Sequence, residues 1–230
     1  MEPWFHEAFA EVVAYFRNLN YRFTNAHAFL TIPDERCVFV SFDDNYQSWY
    51  ESLPLFDRLD VRGTFYVNTL PLRNIASKEM IDAYYDRIAY PGPRIPLSGS
   101  ELIALSNAGH TIGAHGHSHF SLTSLSVQTA QKDILRNKEE LERILGKRVQ
   151  HFAYPYGLRR YFSDELRAYC KNIGFETIAN AIPGLQHNQQ PPLNIQRTGW
   201  HFEKPLSYNV TNISIDGSLL EHLSGRSALG

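Results

Sequence analysis

Four short apolar runs recur along this chain, at Val38–Phe42, Gly63–Val67, His110–Ala114 and Val149–Tyr154, with stretches of helical periodicity between them. Runs this short, rich in β-branched and aromatic residues, predict buried strands. Strand, helix and strand within about thirty residues make a βαβ unit, and repeated alternation predicts a parallel α/β architecture. Three of the runs stop abruptly on polar clusters: Asp43-Asp44-Asn45, His115-Gly116-His117-Ser118-His119 and Pro155-Tyr156-Gly157. In a β/α barrel the C-terminal ends of different strands converge on one face. Groups more than seventy positions apart can therefore share a single site.

The remaining elements follow the same pattern. Phe5, Phe9, Val12, Val13 and Phe16 predict an amphipathic first helix that stops at Asn18 to Asn20. Helices are expected over about Tyr46–Leu59, Ser77–Tyr90, Ser98–Ala108 closed by Gly109, Val127–Leu145 closed by Gly146, and Asp164–Ile173. Two further strands are expected near Phe175–Ala179 and Leu193–Gly199. The chain reads as a single domain, with residues 1–34 a helical extension, 68–97 a surface insertion around Pro91-Gly92-Pro93, and 205–230 a peripheral tail.

Composition narrows the class of partner. With 22 Lys and Arg against 24 Asp and Glu, the net charge of −2 offers no basic stripe for nucleic acid. Cys37 and Cys170 form neither a disulfide framework nor a ligand pair. No apolar run approaches the roughly 18 residues of a membrane span. The acidic residues and His6 among the first 20 residues do not make a secretory signal, so a cytoplasmic location is expected, or a secreted one if a leader has been removed. The sequence leaves the oligomeric state open.

The chemistry sits in the polar clusters. His115 and His119 are four apart, so on a helical turn both imidazoles would face one metal. His117 between them would face away. Two histidines need a third protein ligand, and Asp43 and Asp44 are the candidates, although adjacent carboxylates also serve as turn formers. A divalent ion gives such a pair a division of labour. One carboxylate ligates, and its neighbour takes a proton from water that the ion has brought to a pKa of about 7.

In order and spacing, Ser41-Phe42-Asp43-Asp44, His115-Gly116-His117-Ser118-His119 and Phe152-Ala153-Tyr154-Pro155-Tyr156-Gly157 resemble the first three motifs of NodB-homology polysaccharide deacetylases, carbohydrate esterase family four. The resemblance runs over about residues 35–200 and includes the YPYG form of the third motif, Tyr154 to Gly157. It implies a distorted (β/α)7 barrel. It also implies a divalent metal, Zn2+ or a similar ion, held by Asp44, His115 and His119, with Asp43 as general base. The implied substrate is an N-acetylated amino sugar. The backbone N–H of Tyr156 would stabilise the oxyanion, and Tyr154 and Pro155 would lie on the substrate side of that turn. Ala153 stands where the family often has an arginine, and Arg197 is the candidate to supply that cation to Asp43. For the general acid, His201 is the candidate, ahead of His187 and His222. Two other readings remain: hydrolysis of a different C–N bond, in a cyclic imide or a lipid-linked sugar intermediate, and a non-catalytic carbohydrate-binding relic.

Overall fold

A computed structural model of the chain describes residues 3–29, 36–184 and 192–213. The helix α1 (Pro3–Asn18) stops two residues before Asn20, whose φ of +62° turns the chain. It is followed by β1 (Arg22–Thr24), α2 (Ala26–Phe29) and β2 (Cys37–Phe39). Next come β3 (Ser41–Asp44), α3 (Ser48–Glu51), α4 (Leu53–Arg58) and β4 (Thr64–Val67). Then follow α5 (Lys78–Arg87), α6 (Gly99–Asn107), β5 (Thr111–Ala114), α7 (Val127–Leu145), β6 (His151–Ala153), α8 (Asp164–Asn172) and β7 (Thr177–Ala179).

All seven strands pair in parallel. β1 and β2 form one short sheet, and β3 to β7 form a second in sequential order. Val40 is the joint between the two. Its N–H donates to Thr24 O on one side, and its carbonyl accepts from Thr64 N on the other. The expected barrel is therefore a curled half-barrel of five strands with a two-stranded flap. Its larger core lies between the outer sheet face and the helices, where Phe9, Phe42, Phe56 and Phe65 interlock with ring centroids 5.1–6.5 Å apart. Fully burying one such ring contributes roughly 1.5–3 kcal/mol. A smaller cluster of Tyr66, Ala153, Ala179 and Ile195 fills the barrel interior.

Several expectations are corrected. The helix read over 46–59 breaks into α3 and α4, because Pro54 lacks the N–H needed to continue the helix. Residues 1–34 are not simply a helical extension. β1 supplies the partner of β2, and Phe5, Phe9 and Val13 of α1 belong to the main core. The 68–97 segment is not a surface insertion, because Tyr84 and Tyr85 of α5 are fully buried and hydrogen-bonded beneath the strand ends. The strand expected over 193–199 shrinks to a 3-10 turn at Pro192–Asn194 and one bridge between Ala179 and Ile195. Asn180 O, which a continuing ladder would use, is taken by the Arg197 guanidinium at 2.7 Å. Of the 205–230 segment, residues 206–213 form a helix and those beyond 213 lie outside the described residues.

Candidate active site

The C-terminal ends of β3, β5 and β6 bring Asp43, Asp44, His115, His119 and Tyr156 together. Ligand-capable atoms of Asp44, His115 and His119 all lie within 4.8 Å of one another. Asp44 Oδ1 is 3.2 Å from His119 Nε2 and 3.7 Å from His115 Nε2, and Tyr46 donates to Asp44 Oδ2 at 2.9 Å. Burial, then the Asp44 carboxylate, keeps the Tyr46 phenol protonated far above its usual range. His115 Nδ1 donates to Ala153 O at 2.7 Å, which fixes the tautomer and turns the Nε2 lone pair toward Asp44. Two imidazole nitrogens and one carboxylate oxygen converging in this way fit a divalent ion with an open position.

The backbone achieves this convergence by a different route from a helical turn. Residues 115–120 are irregular, and Gly116 at φ +75° and His119 at φ +56° fold the segment back on itself. Asp44 at φ +87° and Tyr156 at φ +66° are also left-handed. The other non-glycine residues with positive φ, Asn20, Asp60 and Ala89, follow helix ends, where this geometry is ordinary. Three side chains of the cluster thus carry backbone strain, a cost that persists where the surroundings enforce it.

Helix α7 and the buried tyrosines provide that enforcement. Asn137 Oδ1 accepts from His115 N at 2.9 Å, while its Nδ2 donates to Val67 O and Thr69 Oγ1, both at 3.1 Å. Asp133 accepts from His117 N, Ser118 N and the Ser118 hydroxyl. His117, buried rather than facing solvent, has Nδ1 3.0 Å from Glu140 Oε2 and 2.9 Å from Thr69 Oγ1. On the other flank Asn68 Nδ2 donates to His115 O and Gly116 O, and Tyr84 donates to Asn68 Oδ1. The sequence reading placed His117 away from the ion but missed Asn68, Thr69, Tyr84, Asp133, Asn137 and Glu140. Asn137 left one signal: it falls in the stripe of α7 that otherwise buries Ala130, Ile134 and Leu141.

Arg197 reaches Asp43 as expected. Its Nη1 and Nη2 donate to Oδ1 and Oδ2 at 2.6 and 2.7 Å, and Nη1 also donates to Ser41 Oγ at 2.9 Å. Beneath it lies the Tyr66 ring, 5.1 Å away, which occupies the space left by Gly113. Burial alone would raise the Asp43 carboxyl. Arg197, then His115, outweigh it and hold the pKa at about 2. Burial also lowers the His115 pKa, so its imidazole is neutral at neutral pH.

The third cluster splits. Tyr156 is exposed, with its ring 4.9 Å from that of His119, and its N–H has no acceptor among the described residues. Pro155 packs beneath Gly116, 3.7 Å from the position a Cβ would take there. Tyr154, expected on the substrate side, is instead buried and stacked on Phe162 at 4.5 Å, because strand alternation turns it into the core. His201 is not brought into the cluster. Its imidazole lies 3.3 Å from Glu203 on an exposed turn, and Asn209 ties down its backbone N–H and carbonyl. His187 and His222 lie outside the described residues.

Comparison with known proteins agrees with this geometry. The family profile described as polysaccharide deacetylase matches residues 31–178, well over half of the chain. The chain belongs to the polysaccharide deacetylase family. Among curated relatives it is 21% identical to the putative polysaccharide deacetylase YxkH of Bacillus subtilis, over 69% of this chain and 49% of that protein. It is 23% identical to the peptidoglycan-N-acetylmuramic acid deacetylase PdaA of the same species, over 63% of this chain and 46% of that protein. The chain thus spans about half the length of these curated relatives. The fold is similar to that of the Streptococcus pyogenes deacetylase PplD, with a TM-score of 0.71 at 15% identity, covering 90% of this chain and 86% of that one. IcaB from Ammonifex degensii gives 0.70 at 16% identity, covering 93% and 89%. The half-barrel therefore matches the distorted barrel of this deacetylase family. No helix among the described residues is long and apolar enough to cross a membrane.

Proposed function

We propose that this chain is a metal-dependent hydrolase that removes acetyl groups from an N-acetylated amino sugar. The observation that carries the reading is the pairing of an Asp44, His115 and His119 donor set with a separate carboxylate, Asp43, held ionised beside it by Arg197. Asp44, His115 and His119 would hold the ion, and a set of two imidazoles and one carboxylate suits Zn2+. When bound, the ion polarises the acetamide carbonyl and acidifies water.

The chain's own groups supply the rest. Asp43 accepts the proton of the attacking water as its oxygen bonds to the acetamide carbon. The carbonyl oxygen becomes an oxyanion, and the unpaired N–H of Tyr156 donates to it. One such donor contributes about 2.7–4 kcal/mol in other enzymes. With His201 outside the cluster, Asp43 returns its proton to the sugar nitrogen. The C–N bond then breaks, leaving acetate and a free amine. Arg197 is a positioning residue, since it fixes the direction in which Asp43 faces. Acetate release from N-acetylglucosamine oligomers, before and after chelation, tests the reading. An Asp43→Asn variant should keep the metal but lose turnover. Retained turnover would sink Asp43 as base, and bound metal without acetate from any acylated sugar would favour another C–N bond.

A further inference from the structure

The mouth of the site has a border that the proposed chemistry does not use. Phe120 directly follows His119, and both its ring and that of Tyr156 are 42% exposed. The Arg87 guanidinium lies 3.9 Å over the Phe120 ring, and its Nη1 donates to Ser118 O at 2.5 Å. On the other side, Tyr156 packs against Tyr161 at 5.0 Å. Arg160 lies 4.8 Å over the Tyr161 ring and donates to its hydroxyl at 3.0 Å. Thr123 joins the two sides by donating to Arg160 O at 2.8 Å. Phe120 and Tyr156 therefore flank His119, with Arg87 over the first ring and Tyr161 and Arg160 beyond the second.

The charges on this border are unbalanced. Among the described residues neither Arg87 nor Arg160 has a carboxylate partner. Asp86, the chain neighbour of Arg87, pairs instead with Arg94 at 2.5 Å. A guanidinium lying over a ring still presents in-plane N–H groups, and those beyond the ones donated to Ser118 O and the Tyr161 hydroxyl match an oxyanion. The exposed rings offer faces on which a sugar can lie. With a whole-chain charge of only −2, the attraction is local to this rim.

We propose that the rim binds an anionic group, a carboxylate or a phosphate, carried by the saccharide next to the acetamido sugar that reacts. This rests on the deacetylase reading and extends it to a class of substrate. The test measures acetate release from three probes. One is the neutral N-acetylglucosamine tetramer, the second a tetrasaccharide alternating N-acetylglucosamine with glucuronate, and the third two N-acetylglucosamine units joined by a phosphodiester. At low salt an anionic probe should exceed the neutral one in kcat/KM by about tenfold, mostly through KM, as one charged contact supplies. The better of the two anionic probes identifies the source of the charge. The advantage should shrink at high salt. It should fall to about one in an Arg87→Gln/Arg160→Gln double variant and partly in Arg160→Gln, which changes only an exposed turn. An equal ratio in parent and double variant, or a parent that prefers the neutral probe, overturns the rim. If no probe yields acetate, the deacetylase reading fails. Calorimetric binding of the glucuronate tetrasaccharide then decides the rim: tighter binding by the parent upholds it, and equal binding overturns it.

Discussion

Asn137→Ala tests whether α7 holds the histidine segment or merely packs beside it. The substitution removes three hydrogen bonds, to His115 N, Val67 O and Thr69 Oγ1, in a fully buried position. At about 1 kcal/mol each the loss is about 3 kcal/mol, since the His115 N–H keeps Val67 O as a second acceptor at 3.2 Å. That is a large share of the roughly 5–15 kcal/mol that holds a typical domain together. Stability alone does not separate positioning from packing. The control is Leu141→Ala, one turn further along the same face, which should cost about 2–5 kcal/mol through a cavity. Urea unfolding reads both variants, and Zn2+ titration against a competing chelator reads the site. Asn137→Ala should weaken the ion about 10–100-fold, as lost support around a ligand does. Leu141→Ala should leave affinity unchanged. Equal affinity in Asn137→Ala and the parent, or an equal loss in both variants, would refute the cradle.

Three further outcomes are expected. His201→Ala should retain parental turnover in the acetate assay, since its imidazole pairs with Glu203; a tenfold loss would restore it as the acid. Gly113→Ala should cost about 1–3 kcal/mol in urea unfolding, because the new Cβ would stand 2.5 Å from the Tyr66 ring and 3.0 Å from His151 O. Burial holds His110 and His151 neutral, each with a pKa lowered from 6.5 to about 4. The unfolded chain therefore binds more protons between those values. The stability from this source is complete above pH 6.5 and falls by up to about 3 kcal/mol per histidine as pH drops through 4. His110→Phe should flatten that slope in unfolding curves taken at successive pH values, and an unchanged slope would contradict the assignment.

The strand ends were legible because each apolar run halts on residues that serve a core poorly, so Asp43, His115 and Tyr156 announced both a boundary and a site. The route to the site was less legible. Spacing of four suggested a helix for His115 and His119, whereas left-handed Gly116 and His119 produce the same proximity without one. A single left-handed residue leaves little trace when the side chain is not glycine. Arg197 was found through what Ala153 lacks, yet its hydrogen bond to Asn180 O also cancels the strand read around it. The α7 face was missed because Asp133 and Glu140 look like ordinary solvent-facing charges until the sheet they approach is known.

The Arg197 contact has a mechanical side. Among the described residues, no backbone ladder joins the chain after β7 to β1 or β3. The guanidinium spans that seam, gripping Asn180 O on one bank and Ser41 and Asp43 on the other. The bond that aims the proposed base is thus also a rivet of the barrel wall. Selection for a looser, more accommodating barrel and selection for a faster base act on the same atoms, and neither trait can drift without dragging the other.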